Sequence, residues 1–246
     1  MTQNNATNPT CKACTKNLGT DSLGNKNGYE LLACEFCGSV TVDPWPTEKE
    51  LIEFYQSYEG TTDYTAKRDK KIERSKKRIA RLKRMTSRKK FLDVGCNYGF
   101  AVEAARQLGL DAHGIDIDAT AVKSAQTNFG EKSYSVTSVQ DYAELGKKVD
   151  ILYTSEVIEH VPDPESFVKS MASILNKGGI LYLTTPDGNH FTLPHDFTKW
   201  EACMPPEHIV YFSRKGMENI LKRHGFKIKK FFFNFKPGIR LIAVKT

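Results

Sequence analysis

Three groups of residues in this 246-residue chain have the types and spacing to do chemistry. The first is a glycine turn, Asp93-Val-Gly95-Cys-Asn97-Tyr-Gly99, followed by Asp116 at the end of the apolar run His113-Gly114-Ile115. A strand that breaks into such a turn and then a helix aims backbone N–H groups at whatever lies above the strand, which suits a nucleotide or nucleoside. The dinucleotide fingerprint G-x-G-x-x-G is not met, because Asn97 and Val102 stand where glycines would be. The Asp93 carboxylate faces the turn, where it opposes a pyrophosphate and favours a cationic ligand. Asp116 is placed to accept hydrogen bonds from ribose hydroxyls.

The second group is Ser155-Glu156-Val-Ile-Glu159-His160-Val161, with His208 farther along in PPEHIVYFSRKG. If the first stretch is helical, Glu156, Glu159 and His160 fall at i, i+3 and i+4 on one face and could form half of a divalent metal site, with His208 as the fourth ligand. Without a metal, His208 or His160 is the general base, since histidine titrates near neutrality. His195 reads as a loop residue.

The third group is Cys11-x-x-Cys14 and Cys34-x-x-Cys37, nineteen residues apart. Four soft sulfur ligands at this spacing predict a structural zinc ribbon in a segment too small for its own core. Cys96 and Cys203 have no neighbouring base in sequence and read as packing residues.

Positioning these groups requires alternating strands and helices. Phe91–Val94 is a buried strand, with a helix from Phe100 carrying Ala101, Val102, Ala104, Ala105 and Leu108. Ala119–Phe129 reads as a helix, Tyr134–Val136 as a third strand with Asp141 in the loop beyond it, and Asp150–Ser155 as a fourth strand. Phe167–Leu175 is a helix, after which Gly178-Gly179 turns the chain into a strand over Ile180–Thr185. Phe226–Phe235 and Ile239–Val244 read as a closing hairpin. The loop from Pro186, with Phe191, Phe197 and Trp200, reads as a lid over an acceptor. Upstream, Thr47 and Glu50 form a capping box ahead of Leu51, Ile52, Phe54 and Tyr55. Ile72, Ile79, Leu82 and Met85 share one helical face.

Asp93, Gly95, Gly99 and Asp116 resemble the D-x-G-x-G-x-G turn and second-strand acid of class I S-adenosylmethionine-dependent methyltransferases, with Asn97 replacing the middle glycine. The resemblance runs from about Phe91 to the C-terminus. It implies an α/β, Rossmann-like, seven-stranded sheet ending antiparallel, with S-adenosylmethionine held by Asp93, Gly95, Asn97, Gly99, Asp116, Asp141 (near the adenine amino group) and Glu156 (near the methionine end). Cys34 to Tyr58 resembles bacterial methyltransferases with an N-terminal zinc ribbon that act on saccharides or other small metabolites. The expected division is a zinc ribbon over 1–46, a basic helical linker over 47–90 and the methyltransferase domain over 91–246. Glu156, Glu159, His160 and His208 resemble the ligand set of metal-dependent small-RNA 2′-O-methyltransferases and, less closely, ubiquinone-pathway O-methyltransferases. That resemblance implies Mg²⁺ or Mn²⁺ and catalytic roles for Glu156, His160 and His208. The same E-V-x-E-H stretch also occurs in metal-free class I enzymes.

The net charge of +7 is uneven: Lys67 to Lys90 holds fourteen Lys or Arg and two acids. This basic stripe is either a solvated helix face or a grip for phosphates, which leaves an RNA methyltransferase as one alternative and an inactive docking protein of the same fold as another. The favoured acceptor is a sugar or nucleotide-linked sugar. The N-terminal MTQNNATNPT lacks the layout of a signal peptide and no apolar run is long enough to span a bilayer, so a cytoplasmic location without membrane contact is expected.

Overall fold

The structure, a computed structural model, describes residues 10–19, 21–57 and 67–246. Its principal element is a seven-stranded sheet. In chain order its strands are β4 (Lys90–Val94), β5 (Asp111–Asp116), β6 (Tyr134–Val136), β7 (Val149–Ser155), β8 (Leu175–Thr185), β10 (Phe226–Phe231) and β11 (Ile239–Lys245). The spatial order is β10-β11-β8-β7-β4-β5-β6, and every strand runs the same way except β11, which is antiparallel to both of its neighbours, β8 and β10. This is the α/β, Rossmann-like, seven-stranded sheet that the resemblance implies. The chain runs outward from β4 to β6, then returns to β7 on the other side of β4. That reversal between β4 and β7 is the switch point where open α/β sheets bind ligands.

Helices cover both faces, which is why β7 is buried along nearly its whole length. On one face, α2 (Arg68–Lys83) and α3 (Phe100–Gln107) pack on Phe91, Ile151, Tyr153, Ile180, Tyr182 and Ile242. On the other, α6 (Pro164–Ile174) and α7 (Arg214–Arg223) pack against the alternate residues, among them Leu92, Leu152, Leu181 and Leu183. Polar caps set where these helices start. Asp118 opens α4 (Ala119–Phe129), Ser138 opens α5 (Val139–Glu144), Asp163 with Pro164 opens α6, and Ser213 opens α7. Among the described residues no helix is long and apolar enough to cross a membrane.

The N-terminal segment forms a second sheet from β1 (Ser22–Lys26), β2 (Tyr29–Ala33) and β3 (Val40–Asp43), followed by α1 (Glu48–Ser57). Its fourth strand, β9 (Val210–Tyr211), comes from the connection between β8 and α7 and pairs antiparallel with β3. The Thr47–Glu50 capping box is present, with the Thr47 N–H donating to Glu50 at 2.6 Å and the Glu50 N–H to Thr47 at 3.2 Å. The side chains of Ile52 and Tyr55 and the N-terminal stretch to Pro9 lie outside the described residues.

Several local expectations are corrected. Strand β8 begins at Leu175, and Gly178-Gly179 is a bulge within it: Leu175 pairs with Val149, whereas Ile180 pairs with Ile151. Asp141 lies in the first turn of α5, not in a loop. Met85 falls past the end of α2 and is exposed, while Ile72, Ile79 and Leu82 are buried as expected. Phe197 and Trp200 are not lid residues. They are buried and stack edge-on with each other at 5.4 Å, with Tyr211 5.3 Å from Phe197. Phe191 alone of the three aromatics is exposed.

Candidate functional site

The glycine turn leaves β4 at the switch point. Gly95, Asn97 and Gly99 all have positive φ, of 76°, 47° and 80°. Asparagine tolerates this conformation, and its Oδ1 accepts from the Tyr98 N–H at 2.8 Å, so the missing middle glycine leaves the turn intact. A Cβ at Gly95 would collide with Val157, and one at Gly99 would come within 2.6 Å of the Tyr134 ring. Asp116 accepts from the N–H groups of Asn97 at 2.7 Å and Asp118 at 3.0 Å. Those two bonds fix the carboxylate beside the turn with lone pairs to spare. Asp93 is buried at the end of β4, and burial together with Asp116 pushes its carboxyl well above the usual carboxylate range. Buried Asp93 and the cradle of Gly95 and Gly99 fit a ligand that brings a cation and needs close approach to backbone. Asp141 is exposed, its carboxylate accepting from Ser138 Oγ at 2.7 Å. Cys96 and Cys203 are both buried.

At the end of β7 the chain does not continue as a helix. Glu156 takes φ +56° and a single 3₁₀ turn, Ile158–His160, follows. The expected i, i+3, i+4 face is therefore not formed. Glu156 turns toward Thr184, whose Oγ1 donates to it at 2.6 Å, whereas Glu159 receives Thr185 Oγ1 at 2.9 Å. Adjacent strand residues point to opposite faces, so the two glutamates lie on opposite sides of the sheet.

Glu159, His160 and His208 do come together, their ligand atoms all within 4.8 Å of one another, and Glu156 is not among them. Glu159 is fully buried and its Oε1 has no hydrogen-bond partner. Burial, reinforced by Glu156, raises its carboxyl well above the usual range. His160 Nδ1 lies 2.7 Å from the Glu207 carbonyl, and His208 Nδ1 is 2.7 Å from the Ala202 carbonyl. A carbonyl only accepts, so each Nδ1 carries the proton and each Nε2 presents a lone pair. The rings stand edge to face at 4.6 Å. Burial and the neighbouring His208 lower His160 to about 4, and burial lowers His208. Both imidazoles are therefore neutral. An orphaned buried carboxylate oxygen beside two such nitrogens fits a divalent cation. It equally provides neutral bases for an acceptor hydroxyl. His195 belongs to neither group.

Cys11, Cys14, Cys34 and Cys37 are buried with their Sγ atoms within 4.8 Å of one another; Cys11 and Cys37 are 3.6 Å apart and Cys14 and Cys34 3.5 Å. Zn–S bonds of about 2.3 Å in a tetrahedron separate sulfurs by about 3.8 Å, so the set fits zinc. Behind it, Ser213 Oγ donates to the Cys37 carbonyl and caps α7 through the Gly216 N–H. Arg223 ties the Ala13 carbonyl to Glu165.

Sequence reasoning missed Thr184 and Thr185, whose only signal is their position at the end of a buried strand. It also missed Arg78 and Arg240, hidden among many cations.

A family model described as a methyltransferase domain matches residues 64–230. The ubiquinone biosynthesis O-methyltransferase of Proteus mirabilis is 34% identical over 106 residues, covering 41% of this chain and 43% of that protein. The chain thus spans less than half the length of the curated relatives it matches. Among solved structures, magnesium protoporphyrin IX methyltransferase from Synechocystis with bound SAM aligns with a TM-score of 0.54 at 18% identity, covering 79% of this chain and 91% of that one. The PH0226 protein of Pyrococcus horikoshii aligns with a TM-score of 0.61 at 15% identity, over 79% and 99%. With the switch-point turn, the antiparallel sheet edge and a family match over more than half its length, the chain belongs to the methyltransferase-domain family.

Proposed function

We propose that this protein transfers a methyl group from S-adenosylmethionine to an oxygen of a small acceptor. The observation that carries this reading is the pair of neutral imidazoles, His160 and His208, held beside the buried Glu159 at the strand ends that flank the glycine turn. The likeness to ubiquinone biosynthesis O-methyltransferases supports an oxygen acceptor. S-adenosylmethionine supplies an electrophilic methyl whose sulfonium is already a good leaving group, so the protein's work is alignment and acceptor deprotonation. Asp93 and the turn hold the amino-acid end, Asp116 the ribose, Asp141 the adenine rim, and Glu156 closes the methionine side. His208 or His160 takes the acceptor proton at Nε2.

Glu159, His160 and His208 are also the residues that would hold a catalytic divalent ion, which would lower the pKa of the acceptor hydroxyl. Two imidazoles and one carboxylate suit manganese or another transition metal better than Mg²⁺, which favours oxygen ligands. The four cysteines we assign to a structural zinc in an N-terminal ribbon.

The test is calorimetric titration of S-adenosylmethionine with and without Mn²⁺, on the native chain and on Glu159→Gln. Cofactor binding by both chains, with a manganese site present in the native chain and lost in the variant, supports the metal-assisted form. Cofactor binding with no manganese site leaves His208 as the base. Failure to bind S-adenosylmethionine rejects the reading and promotes a docking protein of the same fold. The RNA alternative is distinguished by acceptor affinity that falls steeply with salt.

A further inference from the structure

On the α2 face of the sheet, beside Glu156, the ends of β7, β8 and β11 enclose a cleft of about 240 Å³. Three guanidinium groups line it: Arg74 and Arg78, one turn apart on α2, and Arg240 at the start of β11. One carboxylate, Glu156, faces them, already engaged by Thr184. Among the described residues no acid forms an ion pair with any of the three arginines. Arg240 Nε and the hydroxyl of Tyr182 below it are buried without hydrogen-bond partners. Arg78 lies over the Tyr182 ring at 6.0 Å and bonds the Tyr153 hydroxyl at 3.3 Å, so its stem is held in place. Three cations against one acid in a partly enclosed space are costly unless an anion enters, and the planar guanidinium fork matches carboxylate or phosphate.

The cofactor's methionine side reaches this cleft at Glu156 but does not account for its far end at Arg240. Strand β11 lies three places from β4 in the sheet, about 14 Å at the usual inter-strand spacing. The amino-acid end of the cofactor belongs above β4 and β7, so Arg240 reaches beyond it. Next to the cleft residue Asn234 stand Phe233 and Phe235, exposed by 62% and 80% and packed edge to face at 4.9 Å. Exposed Phe191 stacks on Phe233 at 6.4 Å. These exposed rings flank the cleft residue Asn234 and offer an apolar surface at its edge.

We propose that this cleft binds an oxyanion of the methyl acceptor, a carboxylate or a phosphate, through Arg240, Arg78 and Arg74, with the acceptor's ring resting on Phe233 and Phe235. This rests on the methyltransferase reading above and names its substrate class. It places the acceptor across the ends of β8 and β11, next to Ser155 and Glu156.

Calorimetric titration of the full chain with inorganic pyrophosphate and with benzoate, each with and without saturating S-adenosylhomocysteine, tests it; neutral benzamide is the control. The expected result is binding of at least one anion but not of benzamide, retained when S-adenosylhomocysteine is present. Affinity should fall roughly tenfold or more in Arg240→Gln and in Arg74→Gln. Melting temperature and S-adenosylhomocysteine affinity should be unchanged, and Arg74 is on the exposed side of α2, so its variant tests the site apart from folding. Pyrophosphate against benzoate separates phosphate from carboxylate. Indifference of anion binding to both substitutions, or equal binding of benzamide, overturns the proposal. Displacement of the anion by S-adenosylhomocysteine also overturns it, by making the cleft the cofactor's own carboxylate site. A chain that binds the anion but not S-adenosylhomocysteine refutes the methyltransferase reading and, with it, the acceptor assignment.

Discussion

Glu156 and Glu159 face opposite sides of the central sheet, each held by one of two consecutive threonines, Thr184 and Thr185. The candidate chemistry is thereby divided. Glu156 looks into the arginine-lined cleft under α2, and Glu159 joins His160 and His208 on the side of the N-terminal sheet. The Ile209 N–H donates to the Glu159 carbonyl at 2.9 Å, and Val210 and Tyr211 pair with β3. The N-terminal sheet therefore braces the histidine side of the site through the backbone.

Glu159→Gln keeps the volume of the side chain but replaces its ionisable carboxyl by an amide and so removes one acceptor oxygen. Methyl transfer is expected to fall by roughly 10²- to 10⁴-fold, the usual worth of a proton-transfer or metal-assisted step. S-adenosylhomocysteine affinity, read by calorimetry, should stay within a few-fold of the native value, because the cofactor turn lies apart from this cluster. Loss of cofactor binding instead would place Glu159 in the wrong role.

Asp93 gives a pH signature. Its folded-state pKa is raised by burial and by Asp116 above the unfolded value of about 3.9. Such a group favours the folded state below the unfolded pKa, and that stability is lost as pH rises through the folded pKa. Asp93→Asn removes this cost. Its melting temperature, relative to the native protein without cofactor, should rise as the pH is raised above the unfolded value of about 3.9 and level off once the pH exceeds the folded-state pKa. The same variant should lose S-adenosylhomocysteine binding. A variant that melts lower than the native chain at pH 8 would remove burial as the cause.

The turn tolerates asparagine for a conformational reason, which makes a clean pair of substitutions. Asn97→Gly keeps the positive φ available and should leave cofactor affinity within about threefold. Asn97→Val forces a β-branched side chain into the left-handed region, at about 1–2 kcal/mol or more of strain, and should weaken cofactor binding by at least tenfold. Equal affinities for both variants would mean that the turn's conformation does not control binding.

The four cysteines should hold one zinc per chain, measured by elemental analysis of protein purified without chelator. Cys34→Ser should abolish that zinc and lower the melting temperature by several degrees or more. Because β3 pairs with β9 next to His208, loss of the zinc should also reduce activity more than cofactor affinity. A zinc-free native protein of unchanged stability would refute the assignment.

The periodic parts of the fold were legible from the residues. The run at Phe91–Val94, the Thr47–Glu50 capping box and the closing hairpin all follow from local pattern. The stretch after β7 was not, because Glu156, Glu159 and His160 have helical spacing while Pro162 and Pro164 leave room for a single turn. Phe197 and Trp200 read as a lid since their partner, Tyr211, belongs to a two-residue strand that exists only through pairing with β3. Long-range pairing of that kind leaves no local trace. Arg78 and Arg240 were invisible for a different reason: charge counts along a helix do not say which cations meet across a cleft.

The most direct test of the account is calorimetric titration of S-adenosylhomocysteine into the native chain and into Asp116→Ala. Asp116 is fixed beside the turn by two backbone N–H groups, so its removal takes away the proposed ribose acceptor, and a matched melting temperature shows that the fold is kept. The native protein should show one binding site per chain, and the variant a loss of roughly tenfold or more in affinity. Absence of binding by the native chain, or equal binding by both, would contradict it.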